Sequence, residues 1–453
     1  MENILNRRNF LAASGAAVGA MMLSPLETLS GQNPEQKGAA RKKLRLAMVG
    51  TGHRGTGMFG EKVTKGYASY VEFVGLCDPN PGRLEYAKKR MGIECPVYTD
   101  FDKMMTETKP DTLIVTTVDG FHHRYIVRGM ELGANIISEK PMTIDEKKCQ
   151  AIIDAEQRTG KKVAVSFNYR YSPHRRIIWE QLRKGAIGKI TSVDFHWYLD
   201  TRHGADYFRR WHRRREFSGS LWLHKASHHF DLLNWWIDSD PTEVFAYANL
   251  DFYGKNATFR AENCRTCAHT QECKFYMDIS KNKYYMDLYV ANEKYDGYLR
   301  DGCVFKEDID IFDKMAACIK YANGVQVSYS LTGYSPYEGY RIAFNGTEGR
   351  IDAWIQESNP THLGEYDELV ITHNFGKREF IRVPQSEGHS GGDVLLLNSL
   401  FIPGTKDPYR QSAGVRDGAL SILIGTAARI SCDTGKPVKI ADLTSIKPQE
   451  QKM

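Results

Sequence analysis

The sequence predicts an α/β protein in two parts: an N-terminal doubly wound parallel sheet, then a C-terminal α/β domain with a largely antiparallel open sheet. Three observations carry this expectation. Short apolar runs at residues 44–49, 73–77, 112–116 and 135–138 are separated by helical patterns, for instance at 83–91 and 122–132. Continuous apolar runs are the mark of strands buried on both faces, and their alternation with helices implies right-handed crossovers. The first run stops at a glycine-rich turn, as a strand feeding a crossover helix would. Beyond about residue 165 the alternation gives way. The runs at 190–197 and 324–331 are longer and partly alternate, as in a sheet with one covered face.

The chain therefore divides into a leader at 1–43, a nucleotide-binding type of domain at 44–165, and a second α/β domain at 166–445. The leader reads Arg7-Arg8-Asn9-Phe10-Leu11, followed by an apolar stretch to Leu23 and a polar one from Ser24 to Gly38. Twin arginines before a short apolar stretch resemble a twin-arginine export signal, which implies export machinery as a partner and a periplasmic or other extracytoplasmic location. The stretch is too short and too rich in Ala and Gly for a stable membrane span, and no other segment approaches one. Hydrophobic residues make up 42% and charged residues 26%, ordinary for a globular protein. The formal charge is +6, but the first 43 residues carry six Lys/Arg and three Asp/Glu, and without them it falls to about +3. So small a surplus argues against nucleic acid as a partner. An open sheet in the second domain suggests a homo-oligomer, a dimer or tetramer.

Directly after the first strand comes Gly50-Thr51-Gly52-His53-Arg54-Gly55, a full GxGxxG opening a helix. In that setting the first glycine permits the tight turn and the second lets the backbone approach a pyrophosphate. The third lets helix and strand pack closely. The helix N-terminus, at His53 and Arg54, offers N–H groups to the anion. Together they describe a Rossmann dinucleotide site. The second strand ends in Asp78, 28 positions after Gly50, where a carboxylate accepts from ribose hydroxyls and repels a 2′-phosphate. That favours NAD over NADP, although Arg83 nearby leaves NADP open.

Glu139-Lys140-Pro141 follows the fourth strand, so Lys140 points into the crevice where such sheets bind ligands. An ammonium there stabilises charge on a reacting oxygen or relays a proton. A second cluster runs His224-Lys225-Ala226-Ser227-His228-His229-Phe230-Asp231. On one helix over 221–237, His224, His228 and Asp231 would share a face, with Lys225 one turn from His228. Imidazole is suited to taking a proton from an alcohol as hydride departs. Just upstream, Arg209, Arg210, Arg213, Arg214 and Arg215 crowd together with Trp211. Such a run is either a solvated face or a contact for an acidic substrate or the cofactor phosphates. Cys264, Cys267 and Cys273, with Cys303 thirty residues on, form a set at 264–303 that suits either one structural zinc or disulfides.

Taken together, these pieces resemble the Gfo/Idh/MocA oxidoreductases over about residues 44–445. The matching segments are the glycine loop, Thr117 followed by His122, Glu139-Lys140-Pro141, Asn168-Tyr169-Arg170-Tyr171-Ser172-Pro173, Gly185-Ala186-Ile187-Gly188, the His228/Asp231 helix, and Gly388-His389-Ser390-Gly391-Gly392-Asp393. The resemblance implies hydride transfer between a nicotinamide cofactor and a sugar, glycoside or cyclitol. It would make Lys140 and His228 the catalytic pair, and would place Thr117, His122 and Glu139 on the nicotinamide-ribose side. Arg170, Tyr171, Arg210, Trp211 and Asp231 are the candidate substrate contacts. Many members carry Asp where this chain has His224, so His224 or Lys225 is a candidate for the proton relay. The alternative is an NAD-dependent glycosidase working through a transient 3-keto sugar, a related group that lacks the lysine of Glu-Lys-Pro.

Overall fold

The computed structural model describes residues 42–358, 366–384 and 391–452. The expected export signal, and Gly388, His389 and Ser390 of the late motif, lie outside the described residues. No helix among the described residues is long and apolar enough to cross a membrane.

The first sheet comprises β1 (Leu44–Val49), β2 (Val71–Cys77), β3 (Val97–Tyr98), β4 (Thr112–Val115), β5 (Asn135–Ser138) and β6 (Val163–Val165). Every pairing is parallel and the order is β3-β2-β1-β4-β5-β6, the doubly wound arrangement with its reversal between β1 and β4. The middle strands are apolar on both faces: Leu46, Ala47, Met48 and Val49 of β1 and Leu113, Ile114 and Val115 of β4 are fully buried. Helix Pro81–Met91 starts at an Asn80 cap whose side chain accepts from the Arg83 N–H, with Pro81 at its first position, and stops at the left-handed Gly92.

The second sheet contains β7 (Ile190–Asp200), β8 (Pro241–Asn249), β9 (Lys314–Tyr321), β10 (Gln326–Ser335), β11 (Glu338–Gly346), β12 (Gly349–Ser358), β13 (Tyr366–His373), β14 (Arg378–Pro384) and β15 (Val438–Lys439). Its order is β14-β13-β12-β11-β7-β10-β9-β8-β15, antiparallel throughout except for the β7–β10 pair. Residues along β9 alternate strictly between exposed and buried, so one face packs on the core and the other is bare. Between β8 and β9 the chain departs into a lobe of short helices and turns, residues 250–313.

Two helices close the core. Ala226–Ile237 is buried at every position. Val415–Thr434 packs against it and against β8 and β6. The sequence suggests an amphipathic helix for 413–434; instead Leu420, Ile422, Leu423, Ile424, Ala427 and Ala428 are buried around its circumference, because it lies between the two domains.

A buried ion cluster ties these pieces together. Arg170, on the turn after β6, donates to both oxygens of Asp231, at 2.8 and 2.5 Å, and to Asp417 at 2.9 Å. Asp231→Ala leaves the guanidinium with Asp417 alone. Breaking a buried pair leaves a charge uncompensated, so this change should lower unfolding free energy by roughly 3 kcal/mol. Denaturant titration of the full chain reads it; a loss under about 1 kcal/mol would show that Asp417 carries the cluster.

Candidate active site

A cleft of about 700 Å³ runs past the carboxyl ends of β1, β2, β4 and β5 and into the second domain. Its nucleotide half is built by the glycine loop. Gly50 has φ +94, and a Cβ on it would lie 2.6 Å from the Thr116 carbonyl carbon; one on Gly55 would lie 2.1 Å from the Gly50 oxygen. Thr116 Oγ1 donates to that same oxygen at 2.6 Å, clamping the loop to β4. At Gly52 a Cβ would meet nothing nearer than the Tyr289 hydroxyl, 3.5 Å away, so the space a diphosphate needs is kept open. Asp78 is buried; it accepts from Thr51 N–H at 2.8 Å and Asn80 N–H at 2.9 Å, which aims the carboxylate along the cleft. Arg54 Nε donates to Glu139 Oε1 at 2.5 Å, and Lys140 N–H donates to Glu139 Oε2 at 3.0 Å. The His122 ring bridges the Pro141 and Thr117 carbonyls at 2.8 and 3.0 Å, fixing the Thr117 turn against the Glu-Lys-Pro segment. These residues fit a bound dinucleotide.

In the other half, Lys140 is half-buried and its Nζ donates to the His224 carbonyl at 3.3 Å. Burial pulls its ammonium down to about 8, against the opposing pull of Glu139 and Asp119. The His224 Nδ1 lies 2.6 Å from Asp119 Oδ2. Burial raises the Asp119 carboxyl and lowers the His224 imidazole, so the pair is favoured neutral, sharing one proton. Lys225 Nζ donates to the Tyr169 hydroxyl at 2.9 Å and lies 3.6 Å from Glu338. Burial alone would raise Glu338, but His203 and Lys225 overcome it and hold the carboxyl near 2. His228 stacks on the Tyr169 ring, centroids 4.0 Å apart and planes at 12°. Tyr169 thus joins the two groups that the sequence nominates from the second domain.

Gly50, Gly52, His53, Arg54, Asp78, Thr117, His122, Glu139, Lys140, His224, Lys225, His228, Arg210 and Trp211 all line this one cleft. Arg170, Tyr171 and Asp231 do not. Arg170 and Asp231 are spent on each other, and Tyr171 packs in the core with its hydroxyl 3.1 Å from Ser399 Oγ. The single helix expected over 221–237 is two, Leu221–His224 and Ala226–Ile237, parted at Lys225. That break separates His224 from the helix of His228 and Asp231.

The arginine run is mostly a set of fasteners. Arg213 donates to both oxygens of Asp308, Arg215 to the Asp310 carbonyl at 2.5 Å, and Arg214 lies 3.6 Å from Asp310. Arg209 anchors the lobe at 250–313 through the Gly302 carbonyl. The expected zinc site also finds no support. Cys264, Cys267, Cys273 and Cys303 line one pocket of about 20 Å³, yet all are free thiols. Among the described residues, no three His, Cys, Asp or Glu side chains meet in metal-ligating geometry. Three of the sulfurs accept from protein donors: Arg209 Nη1 on Cys264 at 3.3 Å, His269 N–H on Cys267 at 3.3 Å, and Phe305 N–H on Cys303 at 3.4 Å.

Sequence reasoning passed over Asp119, Tyr169 and Tyr289. The first had a usable signal, since a carboxylate in the loop after a central Rossmann strand must face the crevice.

Residues 44–167 match the model of an oxidoreductase family's NAD-binding Rossmann fold, and residues 179–440 match the C-terminal α/β domain of the same family. The chain belongs to the Gfo/Idh/MocA oxidoreductase family. The protein YteT of Bacillus subtilis is 38% identical over 426 residues, covering 88% of this chain and 98% of YteT. The inositol 2-dehydrogenase/D-chiro-inositol 3-dehydrogenase of Lactiplantibacillus plantarum is 24% identical over 222 residues, 49% of this chain and 58% of that protein. Among solved structures, levoglucosan dehydrogenase in complex with NADH and levoglucosan superposes with a TM-score of 0.63 at 18% identity. The match covers 88% of this chain and 100% of that one.

For a Gfo/Idh/MocA chain built this way, Gly52→Val should abolish NAD binding by calorimetry while leaving the melting temperature nearly unchanged. The new side chain fills the space before the loop, where only the Tyr289 hydroxyl stands within 4 Å. Unaltered affinity would place the nucleotide elsewhere.

Proposed function

We propose that this enzyme is a dehydrogenase of sugars, glycosides or cyclitols that uses NAD. The observation that carries the reading is the convergence, in one cleft, of the glycine loop and Lys140 from the first domain with His224, Lys225 and His228 from the second. The inositol dehydrogenase relative supports the substrate class. So does the lining itself: Tyr207 and Trp211 offer aromatic faces to C–H surfaces, and Lys225 and Arg210 offer donors to hydroxyls. The Lys140 side chain weighs against the glycosidase alternative.

A nicotinamide bound in the cleft supplies the hydride acceptor or donor. The chain's own residues manage the proton. Neutral Lys140 takes the proton of the substrate hydroxyl, and its ammonium returns one when a ketone is reduced. His228, braced flat against Tyr169, holds the same oxygen from the second domain. The Asp119–His224 pair fixes the backbone carbonyl that receives the Lys140 ammonium, and so positions Nζ.

Lys140→Ala and His228→Ala should each reduce turnover about 10²–10⁴-fold with NAD affinity retained, and the double variant should be little worse than either. A panel of sugars and cyclitols followed at the nicotinamide absorbance tests this. Full turnover in His228→Ala would remove the residue from the mechanism.

The Lys140 value near 8 sets the pH dependence. Oxidation needs the free amine, so its rate should rise as pH passes through about 8, and reduction needs the ammonium, so its rate should fall there. Lys140→Arg, which cannot deprotonate in this range, should erase both inflections. An inflection that survives this change belongs to another group.

A further inference from the structure

The lobe at 250–313 does not stay with its own domain. It lies across helix Pro81–Met91, the helix that follows the strand carrying Asp78. Asn80 Nδ2 donates to the Asn292 carbonyl at 3.0 Å. Tyr284 packs edge-on to Tyr86 at 6.0 Å and beneath the Arg90 guanidinium at 5.3 Å. Gly82 leaves no room for a side chain, since a Cβ there would lie 1.8 Å from Asn292 Oδ1. The lobe also reaches the glycine loop, where His53 N–H donates to the Tyr289 hydroxyl at 2.8 Å. Helix N-termini ordinarily hold an anion at such an N–H.

Two charge clusters of opposite balance flank the cleft. Near the glycine loop, Arg210 and Arg300 each lie 2.7 Å from Asp206, so two guanidiniums share one carboxylate. With burial, they and Arg54 hold the His53 imidazole down to about 4. At the Asp78 end the balance reverses. Arg83 Nη2 bonds to Asp296 of the lobe and lies 3.4 Å from Asp78 Oδ1, so two carboxylates share one guanidinium. Arg83 and Asp296 both line the cleft. An arginine free beside Asp78 would be the group to receive a 2′-phosphate. Here its Nη2 already serves both carboxylates.

We propose that the lobe selects the cofactor: Asp296 offsets the charge of Arg83 beside Asp78, so the site accepts NAD and rejects NADP. The inference rests on the dinucleotide reading of the glycine loop. A 2′-phosphate would meet two carboxylates and a guanidinium whose charge they already offset. The diphosphate common to both cofactors would meet the surplus guanidinium at the other end.

Asp296→Asn keeps the side-chain shape and removes its charge. Calorimetric titration of the full chain with NAD and with NADP, after removal of retained nucleotide, reads the consequence. The unaltered protein should bind NAD more tightly. Asp296→Asn should tighten NADP on the order of tenfold, the worth of one released charge-assisted hydrogen bond, and leave NAD within about threefold. Adding Arg83→Ala to Asp296→Asn should erase that gain. Asp296→Ser carries the same test if Asp296→Asn lowers the melting temperature. An unchanged NADP-to-NAD ratio in folded variants, or an unaltered protein that prefers NADP, overturns the proposal. Binding of neither dinucleotide by the unaltered protein overturns the underlying reading instead.

Discussion

The geometry of the cleft depends on the buried guanidinium of Arg170. A charge shut away from water persists only where opposite charges surround it, and here Asp231 and Asp417 do so from two different helices. Arg170 stands on the short turn after β6, one residue beyond Tyr169, which stacks on His228. Asp231 sits three residues beyond His228 on the same helix. The ion cluster therefore fixes the separation between the first sheet and the helix that carries the imidazole. Lys140 belongs to one side of that joint and His228 to the other, so an interaction remote from the cleft opening sets the relation between them.

Much of this was legible in the residues. The four long apolar runs become β1, β2, β4 and β5, because strands buried on both faces tolerate little else. The glycine loop was legible for the same kind of reason, since Gly50 and Gly55 occupy backbone positions where a Cβ would strike main-chain atoms. Strands β3 and β6 were not. At two and three residues they have no pattern of their own and are made by their neighbours. The helix split at Lys225 was hidden too, since the 3.6-residue period continues through it.

Polar residues were harder to assign than apolar ones. Arg170, Tyr171 and Asp231 carry the same functional groups as a sugar-binding site, and only tertiary pairing reveals that they are consumed within the core. The arginine run behaved likewise: spacing shows a concentration of charge, while Asp308 and Asp310, about ninety-five residues later, pair with Arg213 and Arg214. Four cysteines near one another in sequence do share a pocket, but sequence proximity does not say which donors face each sulfur.

The lobe at 250–313 begins and ends at neighbouring points. Asn249, the last residue of β8, is paired with Lys314, the first of β9, and Asp313 accepts from the N–H groups of Asp251, Phe252 and Tyr253, stitching exit to return. The two strands therefore form an ordinary antiparallel hairpin that roughly two to five residues could close. The lobe leaves the sheet at this turn, and none of the sheet's ladders runs through it. Its attachments to the scaffold are side-chain packing and hydrogen bonds, such as those of Arg213 to Asp308, and no strand pairing of the sheet. On the proposed reading, part of the discrimination between cofactors would come from a segment outside the domain whose backbone binds them.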